Sequence, residues 1–238
     1  MATVTNTRSA RGALNRERVL KAALDLADAE GLAAVTMRRL AADLGVEAMS
    51  LYHHVPGKEA LLDGLVEALV SEIEADLALS APPVEDWQAE VRRRCLTARE
   101  VMKRHPWAPG LLGSRSTIPA DVFGIYEAVL AALIEGGFSY SLAHRSLHAL
   151  GSMVLGFAQE VFSPNAAGAG EDDEPPDAEL ERMAETLPHL TAMVAAELHD
   201  HEEDPLGWCD SQTEFEFTLD LLLDGLARQL GRTPPPRR

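Results

Sequence analysis

The sequence predicts an all-α protein, with a small N-terminal three-helix domain ahead of a larger helical body. Three observations carry this. Apolar residues recur at helical spacing along the chain, and strand-like alternation is absent. The chain is 46% hydrophobic, mostly Ala and Leu, and only 5% aromatic, a balance that favours helices over sheets. Gly and Pro fall between the periodic segments, where helices stop.

Taken in order, the first predicted helix spans residues 14–30, with Val19, Leu20, Ala23, Leu26 and Ala27 on one face, Asn15 able to cap its start and Gly31 at its end. A short helix follows at 36–44, with Thr36 as N-cap and Gly45 as stop. A third covers 47–54 and closes at the Pro56-Gly57 turn. Lys58 opens a long helix that runs to about Leu79, before Pro82-Pro83. The remainder predicts helices at 86–104, 120–135, 140–162, 187–198 and 212–230, with an irregular Gly/Pro-rich stretch after His105-Pro106. Residues 163–178 are small, acidic and Pro/Gly-rich, which predicts a mobile loop. The division is therefore a domain at 1–57 with a flexible tail to about residue 12, a second domain at 58–230, and a frayed tail at 231–238.

Composition narrows the setting. The opening residues hold no apolar run, no stretch of 18 apolar residues exists, and Cys95 and Cys209 lie far apart. These features predict a soluble cytoplasmic protein with free thiols, no membrane partner and no signal peptide. The formal net charge of −17 seems to oppose a nucleic-acid partner. Its distribution changes that reading. Residues 1–60 carry eight Lys/Arg against seven Asp/Glu, a net +1, which leaves −18 on the rest. This asymmetry suggests two jobs in one chain, although a short basic tail also serves simple solvation.

The second and third helices, joined by a tight glycine turn, suggest a helix-turn-helix. Ala41 sits four residues before Gly45 and permits a close crossing, while Leu40, Leu44, Val46, Leu51 and Val55 are spaced as an apolar seam. With those inside, Ala48, Met49, Ser50, Tyr52, His53 and His54 fall mostly outside. A short exposed helix of that composition suits a DNA major groove, where small and apolar groups meet thymine methyls and Arg38 takes guanine. A three-helix cap that merely uses a tight turn is the competing reading.

Specific motifs then bear on the choice. Gly31 and Thr36 form G-x-x-x-x-T. Arg38, Leu40 and Ala41 form R-x-L-A. Leu44-Gly45-Val46, Leu51-Tyr52, and Lys58 with Leu61-Leu62 complete the set. This region resembles the DNA-binding region of the TetR (tetracycline repressor) family of bacterial transcription regulators. "DWQAEVRRRC", "LLGSRS", "GGFS", "LGFAQE" and "FEFTLDLLLDGLARQL" are similar, more weakly, to the ligand domain of that family's tetracycline-repressor branch.

The resemblance implies about ten helices and a homodimer whose two last long helices pack against their copies, with Phe157, Phe215, Leu219, Leu222 and Leu226 as seam residues. The pattern on the last helix agrees, since it is apolar on more than one face, although complete burial within a monomer remains open. The resemblance further implies that Thr36, Tyr52, His54 and Lys58 hold DNA phosphates, and that Arg38, Ala48, Met49 and Ser50 face bases. Ala48, Met49 and His53 replace the branch's Gln, Pro and Trp, so a different operator follows. In the ligand domain, Glu74 and Arg94 stand where the branch places a drug-binding His and Asn. Leu111 stands at its metal-binding His. Glu160 matches a carboxylate near its metal, and Ser114-Arg115 a loop beside it. Without that His a metal loses its nitrogen ligand; the expected effector is a polar or charged small organic molecule, with no metal or cofactor.

His199 and His201 amid acids read as solvated loop rather than a metal site. His144 and His148 read as core or interface residues. No nucleophile motif, phosphate loop or metal spacing supports an enzyme. The sequence thus predicts a ligand-responsive homodimeric repressor on a palindromic operator, the alternative being a helical ligand-binding or interaction protein that activates, or that binds no specific DNA.

Overall fold

The computed structural model describes residues 13–80, 86–115, 119–120, 122–157, 184–197 and 211–232. The helices are α1 (Arg16–Glu30), α2 (Met37–Leu44), α3 (Ala48–Tyr52), α4 (Lys58–Leu79), α5 (Trp87–Arg104), α6 (Ala108–Ser114), α7 (Val122–Glu135), α8 (Tyr140–Gly156), α9 (Pro188–Glu197) and α10 (Ser211–Arg232), with a 3-10 turn at Leu32–Ala34. No strand occurs among the described residues. The chain forms two compact units, 1–147 and 148–238, and the division falls within α8.

In the first unit, α1 starts where the Asn15 side chain accepts from the Arg18 N–H at 2.8 Å. One α1 face is buried through Val19, Leu20, Ala23, Leu26 and Ala27. It packs with Leu40, Ala41, Leu51 and Val55 of the next two helices and with Leu61, Leu65, Val66 and Val70 of α4, so one core joins the first three helices to the fourth. The approach of α1 to α4 depends on Gly64, where a Cβ would lie 2.4 Å from a methyl of Leu20. Leu111 of α6 and Val122 of α7 enter the same core. Further along α4, Leu69 and Ile73 pack with Val101 and Ala108. Asp86 caps α5 by accepting from the Ala89 N–H at 3.2 Å. Trp87 meets Phe138 edge-on at 4.7 Å, and Gly136 leaves room for that indole.

The stretch expected to be irregular after Pro106 contains α6. Pro109 lies in its first turn, where a missing N–H costs no intrahelical bond. Composition alone therefore suggested a break that position removes.

In the second unit, α10 buries Phe215, Leu219, Leu223 and Leu226. Phe157 meets Phe215 edge-on, with ring centroids 5.4 Å apart. Of the seam residues expected on that helix, Phe215, Leu219 and Leu226 are buried within the single chain, and Leu222 is half-buried. The large apolar side chains that α10 leaves exposed are Phe217 (60%) and Leu221 (55%). The helix also continues through Gly231 and Arg232, two residues into the expected tail. The loop at 163–178, Glu160, His199, His201 and Cys209 lie outside the described residues. His144 and His148 are exposed on α8, which removes the core reading for both.

Candidate functional site

The turn between α2 and α3 follows from two residues. Thr36 caps α2, its hydroxyl accepting from the Arg39 N–H at 3.2 Å. At the other end Gly45 adopts φ 67°, ψ 39°. Its N–H donates to the Ala42 carbonyl at 3.1 Å, and the Val46 N–H donates to Ala41 at 3.0 Å. This paired closure satisfies two end carbonyls and needs a left-handed residue, which favours glycine. The chain then enters α3, only five residues long, too short to stand on its own.

Tertiary packing fixes α3 instead. Leu51 and Val55 are buried in the shared core, so the opposite side must face out. Met49 is 70% and Tyr52 44% exposed. His53 is exposed, while Ala48, Ser50 and His54 are half-buried. Thr36, Arg38 and Lys58 are exposed as well. All nine sequence-predicted DNA residues therefore lie at the surface, on or beside the helix-turn-helix.

Adjacent arginines divide two tasks. Arg39 donates to Glu30 at 2.6 and 2.9 Å and to Asp43 at 3.0 and 3.1 Å, tying α2 to the end of α1. The hydrogen bonds it donates to Glu30 and Asp43 hold its guanidinium still more firmly in the charged form. Arg38 makes no ion pair among the described residues. Several acids of the head are occupied: Glu30 and Asp43 by Arg39, Glu59 by Arg115, and Glu67 by Arg16. Arg38 and Lys58 are thus exposed cations of this surface, beside Glu47 as an exposed acid at the start of α3.

The ligand candidates fall in different places. Leu111 is buried in the apolar core with α1 and α4 residues, and offers no donor atom. The Ser114 hydroxyl donates to the Leu111 carbonyl at 2.8 Å. Arg115 reaches across to α4, donating to Glu59 at 2.7 Å and to Asp63. On α5, Arg94 donates to Glu90 at 2.6 Å, and Arg93 holds the same carboxylate through two bonds of 2.9 Å. Burial works to raise the pKa of Glu90, but the two arginines outweigh it and hold the carboxyl below its usual range. Glu74, expected near a ligand, is exposed on α4 beside Gly124.

Sequence reading missed one cluster, formed by Asp28, Glu72, Arg104, His105 and Trp107. His105 bridges Asp28 and Glu72, which lie 77 and 33 positions away. No periodic pattern links residues so far apart, and His105 served only as a helix end.

A helix-turn-helix that presents an exposed recognition helix ahead of a helical body defines a DNA-binding transcription regulator. Residues 19–65 match the family described as bacterial regulatory proteins, tetR family, and residues 79–230 match the tetracyclin repressor-like C-terminal domain. The chain is 32% identical to the class E tetracycline repressor protein of Escherichia coli, over 91% of this chain and 92% of that one. It is 30% identical to the HTH-type transcriptional repressor DrrR1 of Streptomyces coeruleorubidus, over 97% and 86%. Among solved structures, a possible TetR family regulator from Streptomyces coelicolor A3(2) superposes with a TM-score of 0.70 at 29% identity, covering 90% of this chain and 99% of that one. The same organism's ActR in complex with (S)-DNPA gives 0.67 at 25%, covering 92% and 99%. The chain belongs to the TetR family and is a ligand-responsive, DNA-binding transcriptional repressor. Among the described residues, no helix is long and apolar enough to cross a membrane.

Proposed function

We propose that the repressor works in the cytoplasm as a homodimer that grips a palindromic operator with two copies of α3 and releases it when a small organic effector binds. The observation that carries this reading is the anchoring of α3. Leu51 is buried, so Met49 and Tyr52 are held outward at fixed positions. Thr36, Tyr52, His54 and Lys58 serve as phosphate contacts, which orient the protein without reading sequence. Arg38, Ala48, Met49 and Ser50 meet base edges, with His53 beside them. Two-fold symmetry of the protein then demands two-fold symmetry of the operator.

Phe217 and Leu221, exposed on α10, support pairing with a second copy, because large exposed apolar groups mark association surfaces. Effector binding in the body shifts α4, whose first turn follows directly on the helix-turn-helix, and changes the separation of the two recognition helices. This is population shift, and it requires an effector with unequal affinity for the two states. The chain acts by binding, not by catalysis.

The effector is a polar or charged organic molecule, held without a protein nitrogen on a metal. Buried, apolar Leu111 supports the absence of such a ligand, and the solved complexes of ActR with (S)-DNPA and with actinorhodin support an organic one. Mobility shift of the DNA upstream of the gene tests the whole reading. Specific binding that weakens with salt and is reversed by one compound class supports it. Binding reversed only by neutral apolar compounds rejects the effector class, and absence of specific binding rejects the operator model.

A further inference from the structure

His105 ends α5 with only 5% of its surface exposed, yet both ring nitrogens meet carboxylates. Nδ1 lies 2.7 Å from Asp28 on α1, and Nε2 lies 2.9 Å from Glu72 on α4. A neutral imidazole has one N–H and one lone pair. It can donate to one carboxylate but must turn its lone pair on the other. The imidazolium alone satisfies both.

The surroundings reinforce the charged ring. From α1 comes Asp28, which also accepts from the Trp107 indole N–H at 2.7 Å. From α4 comes Glu72, whose second oxygen accepts from Arg104 at 2.7 Å, with Asp76 on the far side of the same guanidinium. From α5 itself comes Arg104, the one cation shown in the cluster, and it is bound to those two acids. Ahead of α6, Trp107 contributes its neutral ring at 5.7 Å. Burial opposes the charge on His105, but the bonds to Asp28 and Glu72 outweigh it and keep the pKa above the ordinary histidine value.

The location gives this cluster its meaning. Asp28 belongs to α1, the helix packed against the helix-turn-helix in the shared core, and Glu72 lies well along α4. Of the acids on α1 and α4, these two share one proton carrier from the α5–α6 corner. We propose that His105 is a positioning residue for operator binding: its doubly protonated ring straps the DNA-reading head to α4 and α5, and operator affinity falls when the ring gives up its second proton. A strapped head loses less orientational freedom on engaging the operator, which is the advantage of preorganisation. When the ring is neutral, either Asp28 or Glu72 faces a lone pair and the strap opens at one end. The contribution is full below the ordinary histidine range and is lost as pH rises through the elevated value.

His53 and His54 are histidines of the DNA-facing surface itself, so the test must separate them from His105. The inference rests on operator binding by the head. Nuclear magnetic resonance titration of His105 in the wild-type protein, free and operator-bound, is the direct measurement and needs no variant. Linkage requires its pKa to rise on operator binding, by about one unit for a tenfold dependence of affinity on protonation. In parallel, operator affinity is followed from about pH 6 to pH 9 in wild type, H105Q, and the double variant H53Q/H54Q. The double variant should bind more weakly overall, since His54 is a phosphate contact, but should keep a further loss of affinity toward high pH whose salt slope is the same at low and high pH, whereas pH-dependent loss of a phosphate contact lowers that slope. H105Q should lack this component. An unchanged His105 pKa on operator binding, or a full pH response in H105Q, overturns the strap. A wild type that binds no operator at any pH would instead overturn the operator reading.

Discussion

The reading head and the last helix make opposite use of apolar patterning. In α2 and α3, the apolar residues form one narrow seam, so burial of Leu40, Leu51 and Val55 determines which side faces out. In α10, apolar residues cover most of the circumference. Phe215 and Phe217 stand two positions apart on opposite sides, one buried and the other exposed. Periodicity identifies a helix in both regions. It identifies the working surface only where one face is apolar, because a doubly apolar helix does not declare which side its own chain takes.

That contrast is open to attack from both ends, beginning where the effect is largest. Phe215→Ala should destabilise the chain by about 3–5 kcal/mol, as a large buried aromatic does when truncated, seen as a lowered denaturation midpoint. Phe217→Glu should leave the monomer fold intact and shift the proposed dimer toward monomer, measured by analytical ultracentrifugation. If the two effects exchange places, the assignment of faces on α10 is wrong. In the head, Leu51→Ala should cost about 2–5 kcal/mol and remove operator binding with it, whereas Met49→Ala, two positions away and exposed, should leave thermal stability nearly unchanged and alter base preference. The smallest contrast separates the adjacent arginines. Arg38→Ala should cost about 1–3 kcal/mol at one operator position. Arg39→Ala should weaken binding to all operators together, through loss of the α1–α2 tie, without changing base preference.

Much of the head was legible before the structure. Asn15, Thr36 and Gly45 announce helix ends by chemistry that acts within a few residues, and the structure finds each in its expected capping role. Local signals failed where position or distance decides. Pro109 and Gly110 look like breakers, yet they lie in the first turn of α6. The His105 strap joins residues from separate helices, and nothing near His105 in the chain announces Asp28 or Glu72. Ion pairing likewise hides from sequence: Arg38 and Arg39 are the same residue type side by side, and only the positions of Glu30 and Asp43 distinguish them.

Operator binding depends most on α3 as the surface that meets DNA, and one comparison tests this directly. Affinities of wild type, Tyr52→Ala and Arg38→Ala would be measured on the operator and on its single-base variants at fixed salt. Tyr52→Ala should weaken binding to every sequence by a similar factor, while Arg38→Ala flattens the preference at one position in each half-site. Wild-type affinity in Tyr52→Ala, together with an unaltered base preference in Arg38→Ala, would contradict this docking.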